Sequence, residues 1–161
     1  MGRKQVKCQG DEKRFEVIAE YIYNRYGNSI KYIADVAGGQ GLLSRILNKQ
    51  YNYSAEVIDP RGFVLKGIES KQKKYTPDMA EYYDLIVGLH PDEATRPVAE
   101  SALYRPILLV PCCNEWDKTK KLGARELVAD ILEYLNDAGV KSEVVEFDIK
   151  KPKNIGIVTS I

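Results

Sequence analysis

Two long segments of the chain place apolar residues at the spacing of a single helix face. Residues 11–26 form the first, with Asp11 as its predicted N-cap and Gly27 as its stop. Residues 122–138 form the second, which Gly139 is expected to end in a left-handed conformation. Both segments are therefore predicted to be amphipathic helices that pack one face on a core.

Between these helices, short apolar runs alternate with shorter helical patterns. Strands are predicted at residues 30–36, 54–59, 83–89 and 107–110. A helical pattern follows the first strand at residues 42–47, and another covers residues 95–104 with Thr95 as its N-cap. Strands that alternate with helices indicate βαβ units, so a parallel sheet is expected.

Two parts of the chain depart from this alternation. Segment 61–81 predicts a helix start at residues 63–68 and a short strand near Tyr75. Residues 142–149 and 154–161 are both strand-like, and the connection at 150–153 is too short for a crossover helix. The last two strands are therefore predicted to pair antiparallel, or to share a sheet edge through a tight connection, in a fold of the α/β class.

Composition narrows the class of protein. The chain has 161 residues, 44% hydrophobic and 29% charged, which predicts one globular domain over 1–161. A net charge of +1 excludes the strong basic excess of a DNA-wrapping protein. The longest apolar stretch, 106–113, is too short to cross a membrane and the N-terminus has no apolar signal region, so a cytoplasmic protein is expected.

Glycines follow the first strand, where it passes into a helix. The sequence there is Ala37-Gly38-Gly39-Gln40-Gly41, and glycines at such a turn let backbone N–H groups approach a ligand. Asp35 precedes the turn, and Asp59 ends the second strand, from which a carboxylate can accept both hydroxyl protons of a ribose. These features predict an adenosine-type ligand. A third glycine of the dinucleotide pattern is absent, which favours a ligand without phosphates.

The run Ile33-Ala34-Asp35-Val36-Ala37-Gly38-Gly39-Gln40-Gly41 resembles motif I of the class I S-adenosylmethionine-dependent methyltransferases. Val57-Ile58-Asp59-Pro60 resembles the acidic strand end that binds ribose in that family. The resemblance covers essentially the whole chain. It implies a three-layer α/β/α, Rossmann-like fold with a mostly parallel seven-stranded sheet and a C-terminal antiparallel hairpin, and S-adenosylmethionine as cofactor. The cofactor-binding residues that it implies are Asp35, Ala37, Gly38, Gly39, Gly41, Asp59, Pro60, Arg61 and Leu89.

Residues that follow the predicted strands at 83–89 and 107–110 are candidates for roles in the methyl-transfer reaction. Parallel strands bring their carboxyl ends to one crevice, so His90 and Asp92 are expected beside the reacting centre, His90 as a base or an orienting group. Gly88-Leu89-His90 with Pro111-Cys112-Cys113 resembles a subset of methyltransferase-like domains that includes some ribosomal-RNA-methyltransferase-like members.

The three cysteines, Cys8, Cys112 and Cys113, are predicted to be free thiols in a reducing compartment. A metal centre formed by them with His90 is disfavoured because neighbouring cysteines chelate one zinc ion poorly and no Cys-x-x-Cys spacing exists, so no metal is predicted. Packing is the preferred role for the cysteines, as it is for Trp116 and the tyrosines of the first helix.

The methyl acceptor is open among RNA, protein and small molecules. RNA is slightly favoured, and the basic residues Arg3, Lys4, Lys7, Lys13 and Arg14 are candidates for a small nucleic-acid patch at the N-terminus. No membrane partner is expected, and a second copy of the chain is a candidate partner. Two other functions remain open: a non-catalytic adenosyl-binding or scaffold protein, and an NAD-binding oxidoreductase domain, which the missing third glycine disfavours.

Overall fold

Seven strands form one sheet in the computed structural model, which describes residue 5 and residues 11–160. The predictions on Cys8, Arg3, Lys4 and Lys7 lie outside the described residues. The strands are β1 (Tyr32–Val36), β2 (Ser54–Ile58), β3 (Ser70–Lys71), β4 (Leu85–Leu89), β5 (Ile107–Val110), β6 (Lys141–Glu146) and β7 (Ile155–Ser160). Their order across the sheet is β3-β2-β1-β4-β5-β7-β6.

Strands β1 to β5 pair in parallel, and β7 pairs antiparallel with both β5 and β6. The mostly parallel seven-stranded sheet with its C-terminal antiparallel hairpin is therefore confirmed. The four predicted long strands are also confirmed, each within two residues of its expected start.

Helices cover both faces of this sheet. They are α1 (Lys13–Tyr26), α2 (Leu42–Tyr51), α3 (Thr95–Glu100) and α4 (Ala124–Asp137). Successive residues of one strand point to opposite faces: in β5, Leu108 packs with α1 and α2, while Leu109 packs with α3 and α4. The three-layer α/β/α prediction is confirmed. None of the helices in the described ranges is long and apolar enough to cross a membrane.

Two helix starts differ from expectation. Asp11 accepts a hydrogen bond from the Lys13 N–H at 3.0 Å, as an N-cap would, although the residue before the first helical one is Glu12. Thr95 lies inside α3 rather than at its N-cap, and its hydroxyl donates to the carbonyl of Asp92 at 2.7 Å. The start of α3 is thereby tied to the loop that follows β4. A 3-10 turn continues the helix over Ser101–Leu103.

The helix predicted at residues 63–68 and the strand predicted near Tyr75 are both wrong. The segment instead contains irregular turns, the two-residue strand β3, and a 3-10 helix at Pro77–Tyr82. Gly62 and Gly67 have φ values of +70° and +87°, which no right-handed helix accommodates. Leu65 is buried and its N–H donates to the Gln40 carbonyl, so a tertiary contact replaces the helical bonds.

Candidate functional site

A crevice lies at the carboxyl ends of the central strands. Strand β1 is flanked by β2 on one side and β4 on the other, so the chain reverses its direction of travel across the sheet at this point. Ligands of open α/β sheets bind at such a switch point. Two adjoining cavities occupy it, of about 580 Å³ and about 370 Å³, and both are lined by Ala37, Arg61 and Asp92.

The glycine turn lines the larger cavity through Ala37, Gly38 and Gly39. Ala37 and Gly39 have φ values of +55° and +59°, so the backbone is left-handed there, at a cost for the non-glycine residue. A Cβ on Gly38 would lie 2.6 Å from Cγ of Asp35, which leaves no room for any side chain. Gly41, in contrast, does not line either cavity: it precedes α2 and lies against Ile68 and Val57.

Asp35 is buried at the floor of the larger cavity, with 2% of its surface exposed. The Ser44 hydroxyl donates a hydrogen bond of 2.8 Å to its carboxylate. Burial outweighs that bond and raises the pKa of Asp35 to about 6. The protein therefore holds a carboxylate whose negative charge is poorly compensated, at a position that faces the crevice.

Asp59 is also buried, yet its carboxylate is fully engaged. It accepts hydrogen bonds from the Gly39 N–H at 3.0 Å and from the Arg61 N–H at 2.9 Å. The Arg61 guanidinium adds a bond of 2.7 Å from Nη2 and one of 3.0 Å from Nε. Burial opposes the charged form, but the Arg61 and Gly39 bonds together outweigh it, so the pKa of Asp59 is lowered.

Arg61 covers Asp59 at the junction of the two cavities. Its guanidinium also lies 5.3 Å from the ring of Phe63 and donates weakly to the Ala37 carbonyl at 3.4 Å. Pro60 lines the smaller cavity beside it. A ligand hydroxyl that binds Asp59 would have to share its oxygens with this guanidinium or displace it.

Leu89 and His90 line the larger cavity at the end of β4. His90 is partly buried with a φ of +51°, and its N–H donates to the Val110 carbonyl at 2.9 Å. The His90 Nε2 lies 2.8 Å from the Lys153 carbonyl oxygen. A carbonyl can only accept, so Nε2 carries the proton and Nδ1 carries the lone pair in the neutral ring.

We predict that His90 is neutral at physiological pH. Burial lowers its pKa below 6.5, aided by the nearby charges of Arg14 and Lys153, and these effects outweigh the Lys153 carbonyl and Asp92. His90 is the single histidine of the chain, so its ring proton resonance can be followed through a pH titration by NMR. The midpoint should fall below 6.5 and should rise in Arg14→Gln. A midpoint above 7 would contradict this assignment of the charge.

Asp92 contacts the two cysteines that follow β5. Its Oδ1 lies 2.9 Å from the Cys112 Sγ and 3.5 Å from the Cys113 Sγ, and the two sulfurs are 3.6 Å apart. Burial first, and the Asp92 carboxylate next, raise the pKa of Cys112 to about 12. The pKa of Cys113 is also raised, again mainly by burial. In this arrangement neither thiol is a thiolate nucleophile at neutral pH.

Sequence reasoning missed several residues that line the crevice. Phe15 reaches the larger cavity from the first turn of α1, where the helical pattern indicated only core packing. Arg14, which was expected only in a basic patch, also lines this cavity. Lys74 and Tyr75 line the smaller cavity from the segment that was predicted wrongly. No local signal could have found them, because their positions depend on long-range packing.

A third cavity adjoins the crevice on the side of His90, and its lining is strongly basic. It has a volume of about 340 Å³ and is formed by the start of α1 and the connection before β7. The basic side chains around it are Arg14, Lys150, Lys151 and Lys153. Asp11 also lines it and accepts a hydrogen bond from the Lys150 N–H at 3.1 Å. One acid against four bases leaves this wall positively charged.

No protein-family model matches the sequence, and no curated protein matches it either. Solved structures do resemble it. The sugar N-methyltransferase KedS8 from Streptoalloteichus aligns over 99% of this chain and 97% of its own, with 15% identity and a TM-score of 0.58. CalS10, an amino pentose methyltransferase from Micromonospora echinaspora with bound S-adenosylmethionine, aligns over 92% and 91%, with 12% identity and a TM-score of 0.61.

An S-adenosylmethionine-dependent methyltransferase from Archaeoglobus fulgidus aligns over 93% of this chain and 97% of its own, with 15% identity and a TM-score of 0.58. All three likenesses are of the whole chain rather than of one motif. At such low identity they establish architecture rather than activity. The chain has the fold of the class I S-adenosylmethionine-dependent methyltransferases.

Proposed function

We propose that this protein is a methyltransferase that uses S-adenosylmethionine. The observation that carries the proposal is a pair of buried carboxylates beside the crevice: Asp35, one residue before the end of β1, and Asp59, directly after β2. Two buried acids there disfavour a pyrophosphate and favour a cofactor that carries positive charge and free ribose hydroxyls. The fold and the glycine turn support the same conclusion.

The residues present fit this cofactor. Asp59 would accept the ribose hydroxyls, with Pro60 and Arg61 beside the adenine in the smaller cavity. Asp35 would face the cationic methionine portion in the larger cavity, where the backbone of Ala37, Gly38 and Gly39 leaves room for close approach. When bound, the cofactor supplies an electrophilic methyl group on a sulfonium sulfur.

The chain itself would mainly position the acceptor, because an in-line displacement requires orientation more than strong acid-base catalysis. His90 holds its proton on Nε2 against the Lys153 carbonyl, so Nδ1 would accept a proton from the acceptor or orient it. Asp92, the other predicted catalytic residue, is engaged with the two thiols, which supports a role in shaping the crevice.

Calorimetric titration of S-adenosylmethionine, S-adenosylhomocysteine and NAD into the protein tests the cofactor. We expect saturable binding of both adenosyl compounds and none of NAD. NAD binding without adenosyl binding would instead support an oxidoreductase domain. Adenosyl binding with no methyl transfer to any acceptor class would support a non-catalytic adenosyl-binding protein.

RNA is the acceptor that we place first. The basic cavity lined by Arg14, Lys150, Lys151 and Lys153 adjoins His90, so a phosphate backbone bound there would lead into the crevice. The acceptors named for KedS8 and CalS10 are sugars, so an amino sugar is the small-molecule alternative.

Transfer of labelled methyl groups to total RNA, to proteins and to amino sugars would separate these acceptors. We expect Lys150→Glu/Lys151→Glu to reduce RNA methylation by at least about tenfold while cofactor binding is unchanged. The matched control, Lys49→Glu/Lys141→Glu, reverses the charge of two exposed lysines that line none of the three cavities. Equal loss in both variants would contradict a specific role for the basic cavity.

A further inference from the structure

Asp92, Cys112 and Cys113 bring two thiols and one carboxylate together at the edge of the crevice. Their ligand atoms all lie within 4.8 Å of one another, and this group is the one cluster of metal-ligating side chains found in residues 11–160. The hydrogen bonds that the Asp92 carboxylate accepts within this range come from the two thiols alone. Asp92 also forms no salt bridge with a lysine or arginine among these residues.

The spacing of these atoms is close to that of a tetrahedral metal site. With Zn–S bonds of about 2.3 Å and Zn–O bonds of about 2.0 Å, two sulfurs lie roughly 3.8 Å apart and a sulfur and an oxygen roughly 3.5 Å apart. The two sulfurs are 3.6 Å apart, and the Cys113 Sγ and Asp92 Oδ1 are 3.5 Å apart. Only the 2.9 Å between Cys112 Sγ and Asp92 Oδ1 would have to lengthen, by roughly half an ångström.

The backbone beneath the cluster is fixed from several sides. Asp92 follows β4 and the cysteines follow β5, and these strands are parallel neighbours with Leu89 opposite Val110. The Asp92 carbonyl accepts the Thr95 hydroxyl at 2.7 Å, while Asp92 itself is held at a φ of +49°. Strained non-glycine residues of this kind persist where the surroundings enforce them, and they concentrate at functional sites.

We propose that Asp92, Cys112 and Cys113 form a binding site for a thiophilic divalent cation, with Zn²⁺ as the expected occupant. Sulfur ligands with one carboxylate favour zinc over the harder ions magnesium and calcium. Three protein ligands leave the fourth tetrahedral position open, as in catalytic zinc sites. Asp92 and Cys112 both line the larger cavity, so the proposed site adjoins the crevice.

This proposal is independent of methyl transfer, since it concerns the affinity of the unliganded protein for the ion. The adjacent cysteines were expected to be a poor chelating pair. The structure changes that expectation because Asp92, which is distant in sequence, supplies a third ligand that spans both sulfurs.

Cobalt substitution tests the site directly. The protein is reduced with a phosphine, freed of metal and titrated with Co²⁺ under anaerobic conditions. We expect one ion per chain, with near-ultraviolet thiolate-to-cobalt charge-transfer absorption and the intense visible bands of tetrahedral Co²⁺, both reversed by added Zn²⁺. Absence of the charge-transfer absorption in fully reduced protein would overturn the proposal.

Variants identify the ligands. Because Cys113 is exposed, Cys113→Ser should fold normally and lose most of the charge-transfer intensity, and Asp92→Asn should weaken cobalt binding by at least tenfold. Cys8→Ser is the matched control and should leave the spectrum unchanged. If Cys8→Ser abolishes the spectrum, or if Cys113→Ser preserves it, the ion is bound elsewhere and the proposal is wrong.

Discussion

Replacing Asp59 by alanine is expected to weaken S-adenosylmethionine binding by at least about 100-fold, which corresponds to about 3 kcal/mol. The reason is that two ribose hydroxyls would each donate to one carboxylate, and hydrogen bonds to a charged group are the stronger class. The loss also frees the Arg61 guanidinium, which is paired with Asp59 at 2.7 Å, and so adds an unpaired positive charge beside a cationic cofactor. Calorimetric titration of the variant measures the change.

Two controls separate ribose binding from a purely structural role of this ion pair. Arg61→Gln removes the competing guanidinium, so it should weaken cofactor binding far less than Asp59→Ala does. A cofactor analogue that lacks both ribose hydroxyls should bind wild type and Asp59→Ala almost equally, because the interaction is already absent. If Asp59→Ala weakens the analogue as much as the intact cofactor, Asp59 only supports the turn through Gly39 and Arg61.

Asp35→Asn is expected to stabilise the unliganded protein above pH 6 by about 3 kcal/mol. Burial holds the Asp35 pKa at about 6, against 3.8 for the unperturbed group, and each pKa unit corresponds to about 1.4 kcal/mol. Folding therefore binds a proton between these two values. The destabilisation by Asp35 is absent below pH 3.8, grows as the pH rises and is complete above pH 6. Asparagine carries no charge at any of these pH values and can still accept the Ser44 hydroxyl.

Thermal unfolding at several pH values measures this effect. At pH 8 the midpoint of Asp35→Asn should exceed that of wild type by roughly 6–12 °C, and the two should converge near pH 4. The exposed Asp137→Asn on α4 is the matched control and should match wild type throughout. A gain in stability together with a loss of S-adenosylmethionine affinity would indicate that the buried charge serves the ligand. Equal pH dependence in Asp35→Asn and wild type would contradict the raised pKa.

The architecture could be predicted wherever periodicity and strand composition agreed. Residues 107–110 are wholly apolar and became β5, and the four-residue connection at 150–153 excluded a parallel pair. Segment 61–81 failed because the spacing of Phe63, Leu65 and Ile68 imitates a helix. Instead, the Ile68 side chain lies against Gly41 of the glycine turn, and the backbone of Gly67 is left-handed. Contacts between residues distant in sequence determine the structure of that segment, and no local sequence pattern reveals such contacts.

The location of the candidate site could be predicted from the sequence, but which of its side chains contact one another could not. The carboxyl ends of β1, β2 and β4 follow from strand order, which placed Asp35, Asp59 and His90 in one region. That Arg61 turns back onto Asp59 depends on a side-chain conformation. That Asp92 meets Cys112 depends on the left-handed backbone at Asp92 and on the packing of β4 against β5. Neither of these two contacts can be recognised from the spacing of residues in the sequence.

The position of β7 has a consequence for how the protein is made. On a ribosome, β6 emerges before β7, yet it has no strand to join until β7 arrives, because β7 lies between it and β5. Until then the apolar strand β5 is an open edge, and such edges invite pairing with other chains. Chaperone dependence during synthesis should therefore be greatest between the emergence of β5 and that of β7.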